Sequence, residues 1–228
     1  MESHFPNGCI LSRYERKILC VQNHEYLIER VLSEKYVPEF VQRVAVFEAK
    51  KTDNQEKVIL KLRFEMDPRP ILESDRPTIL EMAEDWFKEE VHCLESCQTE
   101  NHATPILYGK DELIQADPSD LYPGGYLHAI AMSKVPGSPV TTFSKFSKKE
   151  INTIRQQLAG ILEHMRQRGW YYDFPSKDHL FFERGSMHTS LVGFSGITPD
   201  DPDEIEPITE NSFAVRAFGL AGLPCGRR

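Results

Sequence analysis

Val58-Ile59-Leu60-Lys61-Leu62-Arg63-Phe64 is the stretch on which the fold turns. Side chains along a strand alternate between two faces. Val58, Leu60, Leu62 and Phe64 therefore share one face, and Ile59, Lys61 and Arg63 the other. The first face needs an apolar partner. The second is expected to be polar-facing, with Lys61 held in a fixed direction by the strand. Just upstream, Phe40-Val41-Gln42-Arg43-Val44-Ala45-Val46-Phe47 is rich in β-branched and aromatic residues, and the polar turn Lys51-Thr52-Asp53-Asn54-Gln55 separates the two runs. Residues 26–64 thus read as strands, preceded by a loosely patterned lead-in over residues 1–20.

Downstream, residues 65–77 hold three prolines and several charges and read as a loop. Thr78 and Glu81 have the spacing of a capping box, which predicts a helix over about 79–97. Its apolar face carries Ala83, Phe87, Val91 and Leu94. Further strands are expected near 105–108 and 126–134, with Tyr122-Pro123-Gly124-Gly125 as a turn between them. Val135-Pro136-Gly137-Ser138-Pro139 reads as a linker. Ser147 and Glu150 make a second capping box, and Ile154, Leu158, Ile161, Leu162 and Met165 continue a helix that Gly169 closes. Leu180-Phe181-Phe182 and Leu191-Val192 form a small hairpin. Residues 197–210 are acidic and proline-bearing and are expected to be exposed or disordered. Around Phe213–Leu220 there is one weak apolar patch.

The chain has 228 residues, 40% hydrophobic and 27% charged, which places it among ordinary globular proteins. A net charge of −8 argues against nucleic acid or an anionic membrane as the main partner. No apolar run reaches membrane-spanning length. The five cysteines are odd in number and include no CxxC pair. They imply a reducing, cytoplasmic location rather than a disulfide framework.

The order strands, helix, strands, linker, long helix, loop, hairpin resembles the protein kinase and aminoglycoside-phosphotransferase superfamily. Met132-Ser133-Lys134-Val135-Pro136-Gly137 resembles a run found in many small-molecule kinases and small fungal kinase-like proteins, and Pro123-Gly124-Gly125-Tyr126-Leu127 resembles the fungal group in particular. That resemblance implies an α+β, two-lobed fold: an antiparallel N-lobe sheet with one helix over 21–134, and a small, mainly helical, truncated C-lobe over 135–228 with an acidic linker at 197–210. It also implies roles. Lys61, in a Val-Ile-Leu-Lys strand, would contact phosphate. Glu90, on the apolar face of the first helix, would pair with it, since a buried carboxylate is costly alone. Met132 would lie in a nucleotide-binding hinge, Asp173 would be the catalytic base, and Asp178, five residues on, a metal ligand. ATP and Mg²⁺ are the implied cofactors. Each residue also has an ordinary reading: a strand lysine, a helix-edge carboxylate, an edge strand, and a polar loop after a helix.

The chain departs from the pattern where metal chemistry would sit. Gly193 stands in place of the metal-binding aspartate after the strand Leu191-Val192, and glycine has no oxygen side chain to hold Mg²⁺. No glycine occurs between Tyr26 and Lys61, so the phosphate-cradling loop is missing. Tyr171 replaces the usual histidine. A degenerate, pseudokinase-like protein that binds a protein or small-molecule partner, or acts as a scaffold, is the first expectation. An active phosphotransferase with a rearranged metal site is the alternative, acting on a small hydroxylated metabolite or a protein. An accessory role in a fungal metabolic pathway is a third. His92, Cys93, Cys97 and His102 match no common zinc spacing. Gly193-Phe194-Ser195-Gly196 lacks the spacing of a hydrolase elbow, and residues 200–204 lack that of a calcium loop.

Overall fold

The computed structural model describes residues 10–69, 71–99 and 101–225. The chain divides into two compact units. The first comprises the chain up to Phe87 together with Leu107–Lys134. The second comprises Lys88–Ile106 and everything from Val135 onward.

The first unit is a six-stranded antiparallel sheet. Its strands are β1 (Ile18–Val21), β2 (His24–Val37), β3 (Gln42–Lys51), β4 (Lys57–Glu65), β5 (Leu107–Ile114) and β6 (Tyr126–Ser133), in the spatial order β1-β2-β3-β4-β6-β5. β4 lies inside the sheet, with Lys61 opposite Val46 of β3 and Ile130 of β6. Its alternation is as expected on one side: Val58, Leu60, Leu62 and Phe64 are fully buried. They pack with Phe47, Ala45 and Ala49 of β3 and Ala129 and Ala131 of β6. The alanines leave room for the large rings inside a curved sheet. Curvature comes from β2, whose register with β3 shifts between Ile28 and Arg30 and again between Val31 and Ser33. Such bulges bend a strand and increase its twist. The sheet curls until the turn after β1 meets β5. There Gln22 N–H donates to Asp111 Oδ2 at 3.2 Å and Gln22 Oε1 accepts from Lys110 N–H at 3.4 Å. The result is a nearly closed, barrel-like sheet.

The other face of β4 is not the polar surface that alternation suggested. Lys61 is 6% exposed and Arg63 only 1%. A helix, α1 (Arg76–Ser96), covers this face with its first turns. The Trp86 ring lies 4.4 Å from the Arg63 guanidinium carbon. Phe87 stacks on His128 at 4.5 Å, and Tyr126 stacks on the same imidazole at 4.4 Å. α1 begins before Thr78, with Ile79 N–H already bonded to the Asp75 carbonyl. Pro77 is tolerated there because first-turn N–H groups need no helical partner. Thr78 is therefore inside the first turn rather than its cap.

The second unit is organised around α2 (Lys148–Arg166). Its capping box is present: Ser147 Oγ accepts from Glu150 N–H at 3.2 Å, and Glu150 accepts from Ser147 N–H at 2.6 Å. Around α2 stand five short strands: β7 (Ser138–Pro139), β8 (Trp170–Tyr172), β9 (Leu180–Glu183), β10 (His188–Leu191) and β11 (Ile197–Pro199). β9 and β10 form the expected hairpin, and β7 adds to its edge. β11 pairs with β8. The apolar tail supplies α3 (Phe213–Arg216), and Val215, Phe218 and Leu220 are buried in the same core.

This architecture overturns the expected α+β, two-lobed kinase-like fold with a mainly helical C-lobe. Eleven strands stand against three α-helices among the described residues, and α2 is the only long helix between Val135 and Cys225. Segments that read as linker, loop and acidic tail contribute β7, β8 and β11. Strands of two or three residues are too short to show a period in sequence, and their partners lie far along the chain. No helix among the described residues is long and apolar enough to cross a membrane.

The acidic segment is ordered by one ion pair. Glu163 binds Arg166 at 2.8 Å and accepts from Ile208 N–H at 2.8 Å. Arg166 Nη1 in turn donates to the carbonyls of Pro202 and, at 3.2 Å, Ile205. Arg166 first, helped by the Ile208 N–H and Gln167, pulls the Glu163 carboxyl down to about 2 against the opposing effect of burial. A depressed folded value stabilises the fold above the unfolded value of about 4.3, and that contribution is lost as pH falls towards 2. The protection factors of amides across residues 202–208, each referred to the intrinsic exchange rate at that pH, are expected to fall between about pH 4.3 and pH 2. Glu163→Gln should already show the low protection at pH 6. Equal protection in both proteins at pH 6 would refute the clamp.

Candidate functional site

Lys61 and Met132 lie on neighbouring strands. Ile59 faces Met132 and Lys61 faces Ile130, so Lys61 and Met132 are diagonal neighbours on one sheet face. Met132 is 8% exposed. The run 126–133, which resembles a hinge, is here a nearly fully buried interior strand. Glu90, 2% exposed, is on α1 but belongs to the second unit. The first unit also buries a charge cluster that alternation does not reveal. Glu65 accepts from Arg76 at 2.9 Å and from Tyr126 N–H at 3.1 Å, while Gln115 Nε2 donates to the carbonyls of Glu65 and Tyr126. Glu48, 5% exposed, is bound by Lys134 and by Arg30, and its carboxyl is held below the usual range by Lys134 first, then Arg30.

Asp173 and Asp178 are both exposed, in the loop between β8 and β9. Asp173 Oδ2 accepts the Thr198 hydroxyl of β11, and its N–H donates to the Gly196 carbonyl at 2.8 Å. Asp178 Oδ1 accepts the Thr141 hydroxyl at 3.0 Å, and its N–H donates to Ser176 Oγ at 3.2 Å. Each carboxylate is thus tied to a hydroxyl from a different stretch of chain. Both retain lone pairs for further hydrogen bonds.

Gly193 sits against a closed wall. Its φ is +87°, and a Cβ there would lie 2.8 Å from the His179 ring. That ring is itself held. His179 Nδ1 is 2.8 Å from the Tyr172 hydroxyl, which lies 2.7 Å from the Val192 carbonyl and 3.1 Å from that of Gly193. With its proton given to Val192, the hydroxyl accepts from His179. Burial first, then the neighbouring Glu90 carboxylate, pushes the Tyr172 hydroxyl pKa up, so it stays protonated. The position that resembles the metal aspartate is therefore filled by backbone packed on an imidazole.

Cys93 and Cys97 are buried one helical turn apart, with sulfurs at 3.9 Å. His92 packs edge-on to Trp170 at 5.3 Å. No group of three or more His, Cys, Asp or Glu side chains gathers as metal ligands among the described residues. Cys9 lies outside them. Compared with models of known protein families and with curated proteins, the chain matches none.

Proposed function

We propose that this chain is a non-catalytic binding or scaffold protein. The observation that carries the reading is the seat of Gly193. A phosphotransferase needs a carboxylate there or nearby to hold the metal against phosphate oxygens. The backbone at Gly193 is in a left-handed conformation and pressed on His179, which leaves no room for one. The two remaining carboxylates are engaged by Thr198 and Thr141, each serving to fasten its own loop. The buried charges of the first unit read the same way: Glu48 and Glu65 serve the sheet by bonding to its own arginines, lysine and backbone.

Incubation of the full chain with labelled ATP and Mg²⁺ tests this, with the chain itself, a generic protein and a set of small polyols as acceptors. No transfer above the protein-free control is expected, and Lys61→Met and Asp173→Ala should give the same trace as wild type. Transfer that disappears in Asp173→Ala would overturn the proposal.

A further inference from the structure

Three hydroxyl residues of the chain are followed directly by proline: Thr104, Ser138 and Thr198. A proline-directed protein kinase recognises such a pair through a pocket that offers no acceptor to the residue after the hydroxyl. Any other residue would bury an unpaired N–H there, and proline has none. The fold separates the three candidates. Thr104 is 1% exposed, and its hydroxyl donates to the Cys97 carbonyl at 2.8 Å. Ser138 is exposed but pairs with Phe182 of β9, next to a Gly137 that is pressed on the Phe182 and Glu183 backbone. Thr198 is exposed, as are Pro199 and Asp200 after it. It lies on β11, which is already extended and pairs only with β8 among the described residues.

The Thr198 hydroxyl also fastens the fold. It donates to Asp173 Oδ2, which ties β11 to the loop after β8. Two backbone bonds flank this tie: Asp173 N–H to the Gly196 carbonyl at 2.8 Å, and Asp200 N–H to the Gly169 carbonyl at 2.9 Å. Ile197 and Tyr172, opposite each other in the pair, are each 6% exposed. A phosphate on Thr198 would reverse the sign of the contact. The donor is lost, and a group of about −1.5 to −2 charge stands against the Asp173 carboxylate, with Asp200 and Asp201 close behind in the chain. Like charges so placed push a pairing apart.

We infer that Thr198 is a phosphorylation site for a proline-directed protein kinase, and that its phosphate opens the β8–β11 pair. In the transfer, Thr198 Oγ1 attacks the γ-phosphorus of ATP held by that kinase. The new P–O bond forms as the bond to the β–γ bridging oxygen breaks, ADP leaves, and the hydroxyl proton passes to the kinase's base. This chain supplies only the hydroxyl, with or without an activity of its own. Opening uncovers Ile197 and Tyr172 but stops short of Ile208, whose N–H is bonded to Glu163.

The test is incubation of the full chain with a purified cyclin-dependent kinase, ATP and Mg²⁺, followed by fragment mass spectrometry and amide exchange. Phosphate on Thr198 is expected, with Thr104 and Ser138 unmodified. Thr198→Val, which keeps the branched shape and removes the hydroxyl, should take up none at this position. In the phosphorylated chain, protection of the Asp173 and Asp200 amides should fall about tenfold through charge repulsion, while that of Ile208 stays. Asp173→Asn removes one of the repelling charges, so its phosphorylated form should lose less protection at Asp200. No phosphate on Thr198, phosphate on Ser138 alone, or a Thr198 phosphate that leaves Asp200 as protected as before would overturn the inference.

Discussion

Gly193→Asp, the substitution that would rebuild a metal-binding sequence, is expected to damage the second unit rather than confer magnesium binding. A side chain at φ +87° costs about 1–2 kcal/mol for the left-handed backbone. Its Cβ would also press on the His179 ring at 2.8 Å. That ring cannot swing away freely, because its Nδ1 is bonded to a Tyr172 hydroxyl that is fixed in turn to the Val192 carbonyl. Overpacking of this kind costs about 1–3 kcal/mol. The sum, about 2–5 kcal/mol, should lower Tm by on the order of 10 °C. Gly193→Ala should lose nearly as much, since the clash begins at Cβ. Combining Gly193→Asp with His179→Ala should recover part of the loss, because the second change removes the ring. Thermal unfolding of the three variants measures this. A Gly193→Asp protein as stable as wild type would show that the site is roomier than its geometry states.

Gly137→Ala is expected to be at least as severe. Gly137 lies in the stretch whose two prolines and glycine suggest a linker. In the fold, Ser138 and Pro139 pair with Phe182 and Phe181 of β9. At φ +82°, a Cβ on Gly137 would sit 2.5 Å from the Phe182 carbonyl carbon and oxygen and 2.6 Å from Glu183 N. These are backbone atoms of a paired strand. They cannot retreat, because the Phe182 side chain is fully buried among Phe143 and Phe146 at 6.2 and 6.1 Å. Backbone strain of about 1–2 kcal/mol and overpacking of about 1–3 kcal/mol together give about 2–5 kcal/mol. Urea unfolding should show a lowered midpoint, with loss of β7 pairing visible as faster exchange at Phe182. A true linker glycine would accept alanine with no change in midpoint.

These two glycines mark where sequence patterns stop being informative. Local signals did well where the determinant was local. The apolar face of β4 follows from alternation alone, and Ser147 with Glu150 caps α2 through bonds that span three residues. The β9–β10 hairpin is also a local pairing. Alternation shows that two faces differ, but not that the second is open to water. Arg63 is buried because Trp86 arrives from a later helix, and Phe87 of the same helix covers His128 on the neighbouring strand. In the same way, residues 197–210 have an acidic, proline-bearing composition that suggests disorder, yet β11 pairs with β8 and the Glu163–Arg166 pair clamps residues beyond it. The Thr78 box failed because Pro77 and Arg76 are already helical. The resemblance to a kinase-like chain rested on the order of elements and on single residues. It could not register the short strands that give the second half its architecture.

The central claim is that the Asp173–Gly193 region fastens the fold and does not hold a metal-bound nucleotide. Calorimetric titration of ATP into the full chain, with and without Mg²⁺, tests it most directly. The account predicts that magnesium leaves the heat and the affinity of any ATP binding unchanged. A magnesium-dependent gain in affinity that Asp173→Asn abolishes would contradict it.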